Sequence, residues 1–268
     1  MKVLSRVVTV PSNLLRWKRF HEALTGTGCM PEEVYHCVPL DDPYIAEAVK
    51  STNIKRKREI SLFLYTIRSI QDALKTDCDA ILLYEDDARP VSDNPSFILH
   101  SILQDIPEDF GVCYLGGYFK KKCKATLIKK GEYLAELKHR PDDRIDIWGT
   151  HAMLYGRSAF KTILKHGAVP KPSTFVTDSF MTKHVVPFVR TFAAVPTLFV
   201  QSPDSLNINK ATGALHGAFK FDKLEAESAE WISNALKGVS TYQESSSITP
   251  EATRALRCAR TFRQRPPA

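Results

Sequence analysis

Residues 81–90, ILLYEDDARP, run four apolar residues directly into three consecutive carboxylates. A short, continuous apolar run is typical of a strand that is buried on both faces of a sheet. Two unit charges about 4 Å apart repel each other by roughly 4 kcal/mol at an effective dielectric constant near 20. Three adjacent acids at the end of such a strand therefore require a nearby cation, raised pKa values or full solvation.

The sequence on either side alternates apolar strands with amphipathic helices. Apolar residues at i, i+3, i+4 and i+7 spacings predict a helix over 58–75, just before the strand at 80–84. Further strands are predicted at residues 7–10, 33–39, 111–115 and 151–155. Further helices are predicted over the segment LLRWKRFHEAL, over residues 97–103, and from Ser158, as the N-cap, to Gly167. This order predicts an α/β fold with a Rossmann-like, mostly parallel sheet flanked by helices.

Two regions depart from this alternation. Residues 120–144 are charged and irregular, which favours an inserted hairpin or a mobile loop. Near the end of the chain, LEAESAEWISNALK predicts a helix, GVSTYQESSS a linker, and the arginine-rich end a weak helix or a disordered tail. We therefore expect a catalytic-type domain over 1–208 and a C-terminal helical extension with linker and basic tail over 209–268.

Composition favours a globular protein in a reducing compartment. The hydrophobic fraction is 43% and the charged fraction 25%, and no apolar run approaches the roughly 20 residues that cross a bilayer. Arg6 interrupts the first apolar stretch, which favours a strand over a signal peptide. The six cysteines lack metal-type spacing and are expected to be free thiols, although a Cys29–Cys37 disulfide stays open. These features predict a cytoplasmic location.

The net charge of +7 is concentrated at one end of the chain. Residues 252–268 contain five arginines and no acid, and the rest of the chain carries 32 basic and 30 acidic residues. A nucleic-acid-binding domain is expected to carry its basic surface on the fold itself, so nucleic acid is not favoured as a partner. Arginines at every third position could form a basic stripe that an anionic membrane attracts by about 1 kcal/mol per charge. A solvated tail is the simpler alternative.

The acidic triplet Glu85, Asp86 and Asp87 is the first candidate site. Ligands of open α/β sheets bind beyond the carboxyl ends of the strands, which is where this triplet lies. Alternating side-chain direction predicts that Glu85 and Asp87 point to one face. Oxygen ligands suit Mg²⁺ or Mn²⁺, with phosphate oxygens completing the shell. The structural alternative is a solvated acidic loop.

Three other segments carry further candidates. Gly116 and Gly117 in YLGGY follow a predicted strand and would let the backbone approach a ligand closely, or form a simple turn. His151 lies at the mouth of another predicted strand, where it either serves a site or packs. Asp178 follows a polar gap, where it either reacts or caps a helix.

In this order, the segments AILLYEDDARP, VCYLGGY, WGTHAMLYGRSAFKTIL, TDSFM and PTLFVQSPDSLNI resemble glycosyltransferase family 25, the lipopolysaccharide-biosynthesis and collagen-galactosyltransferase type. The resemblance covers roughly residues 1–208. It implies a GT-A fold, a nucleotide-sugar donor and a divalent cation, Mn²⁺ (or Mg²⁺), held by Glu85, Asp86 and Asp87. The family's GTHAY motif falls on 149–153, with Met153 in place of the aromatic residue.

The resemblance also assigns residues outside the triplet. The acid of the family's P-x-D turn falls on Asp178, with Val176 and Thr177 in place of the usual flanks. Arg16 and Arg19 match an N-terminal arginine-containing segment loosely. Of the GE-x-x-C-x-x-SH helix only Glu59 is kept, because Tyr65 and Thr66 stand where Ser and His are expected.

The implied reaction is an inverting transfer of a sugar, with UDP-sugar as the expected donor, to a hydroxyl of a glycan, glycolipid or protein. Asp178 would accept the proton of that hydroxyl, and Arg16 or Arg19 would contact the base or phosphates of the nucleotide. His151 would either complete the metal or phosphate shell or pack beneath it. Two alternatives remain: a Mg²⁺-dependent phosphoryl-transfer or nuclease enzyme, and a catalytically inactive GT-A-like binding module.

Overall fold

The computed structural model describes residues 1–9, 14–51, 57–140, 143–167, 176–202 and 221–237. Its centre is an eight-stranded sheet with the order β2-β1-β3-β8-β5-β9-β7-β6, beside a two-stranded sheet of β4 and β10. The strands are β1 Val3–Thr9, β2 Glu33–His36, β3 Ala80–Glu85, β4 Ala88–Pro90, β5 Val112–Phe119, β6 Thr126–Lys129, β7 Leu134–Lys138, β8 Ile147–Gly156, β9 Thr191–Ala194 and β10 Phe199–Gln201.

Most strands of the large sheet point in one direction. β1 pairs in parallel with β2 and β3, and β5 pairs in parallel with β9. β8 is antiparallel to both β3 and β5, and β7 is antiparallel to β6 and β9. The expected architecture, a Rossmann-like, mostly parallel α/β sheet flanked by helices, is confirmed.

The helices cover both faces of this sheet. They are α1 Leu14–Leu24, α2 Pro43–Ser51, α3 Lys57–Leu74, α4 Pro95–Asp105, α5 Arg157–Gly167, α6 Thr177–Phe180 and α7 Phe221–Leu236. α6 continues as a π-helical turn, Met181–Val185, and a 3₁₀ turn, Val186–Phe188. Buried residues of α3 and α5 join one hydrophobic cluster and those of α1 and α4 join another. The two clusters lie on opposite faces, because alternate residues of β3 belong to each.

Several predicted boundaries move. β5 continues to Phe119, so Gly116 and Gly117 lie within the strand and do not follow it. β8 begins at Ile147, which places His151 inside a strand as well. Ser158 does not cap α5, because its hydroxyl lies in the first turn and donates to the carbonyl of Phe110. The charged stretch at residues 120–144 contains the β6–β7 hairpin, which is one of the two structures predicted for it.

Other predictions fall on residues outside those described. These are the cap of the first helix at 12–13, the boundary at 208–209, the linker and the arginine-rich tail. The predicted helix LEAESAEWISNALK is confirmed as part of α7. Within the described ranges, no helix has both the length and the apolar character needed to span a membrane.

One indole joins α7 to the sheet. The Trp231 ring stacks on Phe119 with centroids 4.6 Å apart and planes 3° from parallel. Its Nε1–H donates to the carbonyl of Cys123 at 3.3 Å, and the Ser228 hydroxyl accepts from the Phe119 N–H at 3.0 Å. Because Trp231 is only 2% exposed, α7 is packed as part of the core and stands against the end of β5.

We expect Trp231→Ala to lower the free energy of unfolding by about 3–5 kcal/mol, because the substitution leaves a cavity beside Phe119. Trp148→Ala is the matched control, since Trp148 is 41% exposed and its loss should cost less than about 1 kcal/mol. Urea unfolding followed by circular dichroism measures both. Equal losses in the two variants would contradict the packing described for α7.

Candidate active site at the end of the third strand

The acidic triplet lies where β3 ends, at the edge of the sheet reached by the carboxyl ends of β1 and β3. Because β8 is antiparallel to β3, its first residues meet the last residues of β3, with Ala152 opposite Tyr84. The Thr150 hydroxyl donates to Glu85 Oε1 at 3.0 Å across this junction. The reversed direction of β8 therefore brings the GTHAM segment to the acidic end of β3.

Arg16 supplies a cation to two of the three carboxylates. Its Nη2 lies 2.7 Å from Asp86 Oδ1 and 2.7 Å from Asp87 Oδ2. The Thr9 hydroxyl donates to Asp86 Oδ2 at 2.9 Å, and the Gln201 side-chain amide donates to Asp87 Oδ2 at 2.9 Å. Asp86 and Asp87 are 4% and 2% exposed, so the triplet is not a solvated loop.

The third carboxylate of the triplet, Glu85, is protonated more readily than an ordinary glutamate. Burial, together with the nearby charges of Asp87 and Asp178, raises the pKa of Glu85 well above its ordinary value. The hydrogen bond from Thr150 and the charge of Arg16 only partly oppose this shift. Two of the three requirements stated from the sequence are therefore present together: a bound cation for Asp86 and Asp87, and a raised pKa for Glu85.

Asp178 lies across the site in the first turn of α6. Its Oδ2 accepts the backbone N–H of Gly149 at 3.1 Å. Gly149 has φ +85°, a left-handed conformation that favours glycine, and this conformation aims the amide. Burial raises the pKa of Asp178, and the charge of Glu59 in the first turn of α3 adds to the shift. A carboxylate with a raised pKa is a stronger base than an ordinary aspartate.

His151 is fully buried next to this cluster. Its Nε2 lies 3.1 Å from the carbonyl oxygen of Phe199. Since a carbonyl only accepts, Nε2 carries the hydrogen and Nδ1 of the neutral ring has a lone pair. Burial lowers the pKa of His151, which keeps the ring neutral, and Nδ1 has no hydrogen-bond partner among the described residues.

The two predicted glycines pack inside the protein. A Cβ on Gly116 would overlap Nε2 of His151 and come within 2.8 Å of the Phe199 carbonyl oxygen. A Cβ on Gly117 would meet the Tyr114 ring at 3.0 Å. Gly116 therefore makes room for the hydrogen bond between His151 and Phe199. The group that comes close to its backbone is a histidine side chain, where the sequence suggested a ligand or a simple turn.

The remaining residues are placed as follows. Arg19 is half-buried on α1, one turn beyond Arg16, and it is Arg16 that bridges the aspartates. Sequence reasoning missed Thr9, Thr150, Gln201 and the carbonyl of Phe199. Gln201 and Phe199 lie in the quoted segment PTLFVQSPDSLNI, but their role depends on the pairing of β10 with β4, which no local pattern reveals.

The described residues do not form a ready-made cluster of three or more histidine, cysteine or acidic ligands. Two buried lone pairs nevertheless lack partners among them, on Asp87 Oδ1 and His151 Nδ1. The charge of Asp87 acts on the pKa of His151. Mg²⁺ is commonly bound by one or two carboxylates with substrate phosphates and water. This donor set fits a divalent cation that arrives together with a diphosphate.

Comparison with known proteins gives distant structural likenesses. No protein-family model matches the chain, and neither does a curated protein. A glycosyltransferase involved in the glycosylation of the major capsid of PBCV-1 is 10% identical with a TM-score of 0.46, covering 84% of this chain and 100% of its own. Mannose-1-phosphate geranyltransferase from Thermus thermophilus is 12% identical with a TM-score of 0.41, covering 75% of each chain.

A third solved structure, the inositol-1-phosphate CTP transferase from T. maritima, is 15% identical with a TM-score of 0.36. The match covers 86% of this chain and 97% of that chain. Likenesses at this distance do not identify a reaction, so the residues at the end of β3 are the basis for the function.

The raised pKa of Glu85 gives a signed prediction. Below the unfolded-state pKa, about 4.3, the side chain is protonated in both states, and Glu85→Gln should change stability little. At higher pH the wild-type fold buries an ionised carboxylate beside two others, so the variant should be more stable by about 1 kcal/mol or more at pH 9.

Urea unfolding at pH 3 and pH 9 measures this difference, with Glu108→Gln as the exposed control expected to change stability by less than about 0.5 kcal/mol. A Glu85→Gln variant that is less stable than wild type at pH 9 would show that the carboxylate is stabilised in its ionised form.

Proposed function

We propose that the protein is a metal-dependent glycosyltransferase that moves a sugar from a nucleotide-sugar, with UDP-sugar as the first candidate donor, to an acceptor hydroxyl. The observation that carries this proposal is that candidate cation ligands and a candidate base both lie near the end of β3. Asp87 and His151 offer unsatisfied lone pairs to a cation, and Asp178, held by the Gly149 amide, offers a base of raised pKa. The family resemblance supports the same assignment.

The donor's diphosphate is assigned to the region between Asp87 and Arg16. When bound, Mn²⁺ or Mg²⁺ supplies Lewis-acid stabilisation of the charge that develops on the leaving nucleoside diphosphate. Asp87 Oδ1 and His151 Nδ1 would hold it, with Asp86 contributing negative charge from nearby. Arg16 keeps Asp86 and Asp87 in position and is also close enough to the site to meet a phosphate oxygen.

Asp178 is assigned the proton transfer. The acceptor oxygen forms a bond to the anomeric carbon while the bond from that carbon to the phosphate oxygen breaks. The nucleoside diphosphate leaves with the electron pair, and the acceptor's proton moves to Asp178. Attack opposite the leaving group gives inversion. The Gly149 N–H keeps one carboxylate oxygen of Asp178 fixed, which orients the carboxylate for this proton transfer.

Asp178→Asn should lower kcat by a factor of about 10²–10⁴, because the amide cannot accept the proton, while binding of the donor with Mn²⁺ remains. Transfer assays and calorimetric titration with UDP and Mn²⁺ measure the two effects separately. Ser179→Ala, one residue along the same helix, is the control. Full activity of Asp178→Asn would remove Asp178 from the mechanism, and loss of UDP binding instead of kcat would make it a donor-binding residue.

A second candidate is a GT-A-like binding module without catalysis. The observation in its favour is that Arg16 already provides the cation that Asp86 and Asp87 need. The two functions differ in a thermal-shift screen of nucleotide-sugars with and without Mn²⁺. A ligand at 100 times its Kd adds about 2.7 kcal/mol. The transferase requires that Mn²⁺ increase the shift and that the donor be slowly hydrolysed, whereas the module requires a shift that is independent of Mn²⁺ and no hydrolysis.

The acceptor is a glycan, a lipid-linked sugar or a protein in this proposal. Contact of the arginine-rich tail with an anionic membrane stays a prediction, because residues 252–268 lie outside the described part of the chain.

A further inference from the structure

A cleft of about 510 Å³ lies beside the acidic site, between α7, the β6–β7 hairpin and the segment that leads into β10. Its volume falls in the range of about 300–1,000 Å³ that is typical of small-molecule sites. The residues that line the cleft include Tyr118, Val195, Pro196, Val200, Ile232 and Leu236.

The walls of this cleft are mainly hydrocarbon. Val195 and Pro196 come from the loop before β10, Val200 from β10, and Ile232 and Leu236 from one face of α7. Three charged residues also line the cleft: Lys129 and Glu132 of the hairpin are exposed, whereas Glu225 of α7 is half-buried and its charge acts on Tyr118.

The cleft is connected to the acidic site through two residues. Tyr118 lines the cleft, and its hydroxyl accepts the backbone N–H of Gln201 at 3.1 Å. The side chain of Gln201 in turn donates to Asp87 Oδ2 at 2.9 Å. The cleft and the acidic residues at the end of β3 are therefore only two residues apart.

We propose that this cleft binds the hydrocarbon part of the acceptor, an alkyl or prenyl chain attached to the sugar that receives the transfer. The inference rests on the proposed function and narrows its acceptor class to a lipid-linked sugar. A protein partner would need about 800 Å² of surface on this chain, more than one cleft of this size offers. An extended hydrocarbon chain matches the apolar walls, and Tyr118 and Gln201 place the cleft next to the acidic site.

The test is binding of methyl, butyl, hexyl and octyl β-D-glucosides, each below its micelle concentration, to the full chain by isothermal titration calorimetry without nucleotide. Burial of one methylene is worth about 0.8 kcal/mol, which corresponds to about a fourfold gain in affinity for each CH₂. We expect affinity to rise by about this factor along the series until the cleft is filled. Equal affinity for methyl and octyl glucoside would overturn the proposal.

Two variants of α7 make the test specific. Ala229 is exposed and lines the cleft, so Ala229→Trp should fill it and abolish the dependence on chain length. Ala226 is exposed on the same helix and does not line the cleft, so Ala226→Trp should keep the dependence. Chain-length dependence that survives in both variants would place the alkyl chain elsewhere and overturn the proposal.

Two further measurements distinguish this inference from failure of the proposed donor site and from self-association of the chain. Binding of UDP with Mn²⁺, measured on Ala229→Trp, should equal that of wild type, so failure of the donor site and failure of the cleft are distinguishable. Sedimentation analysis compares the self-association of wild type and Ala229→Trp. We expect no self-association of wild type that is lost in the variant. Such self-association would assign the cleft to a second copy of the chain and contradict the lipid assignment.

Discussion

The bridge from Arg16 to Asp86 and Asp87 is the interaction on which the site depends. Three adjacent carboxylates at the end of a buried strand repel each other, and two of them are almost completely removed from water. Removing one partner of a buried ion pair typically costs about 3–5 kcal/mol, because the remaining charge stays buried. Arg16 therefore does more than contact a ligand: it holds α1 against the end of β3 and makes the burial of this acidic turn possible.

The direction of β8 is the second constraint. If β8 ran parallel to β3, its GTHAM segment would lie at the opposite edge of the sheet from the acids. The antiparallel pairing places Thr150 against Glu85 and the Gly149 amide against Asp178. The same segment positions His151 in the space that Gly116 leaves open. Strand pairing thus holds the imidazole and the end of β3, and the Gly149 amide of the same segment fixes the base on α6.

Sequence reasoning predicts the parts of this structure that depend on local pattern. The helix α3 and the strand β3 follow from apolar periodicity, and the acidic triplet is visible as an excess of charge. The reversed direction of β8 and the pairing of β10 with β4 are absent from any local pattern, because they depend on contacts between distant segments. For this reason sequence reasoning misses Gln201, Thr150 and the Phe199 carbonyl, and it cannot foresee that the space at Gly116 is taken by a histidine.

Anomalous diffraction from crystals grown with Mn²⁺ and UDP tests the central claim most directly, because it locates the cation without reference to activity. The account predicts a manganese peak within about 2.5 Å of Asp87 Oδ1, close to His151 Nδ1, with the diphosphate as a shared ligand. A diphosphate bound elsewhere, with Arg16 still bridging Asp86 and Asp87 and no manganese beside them, would contradict it.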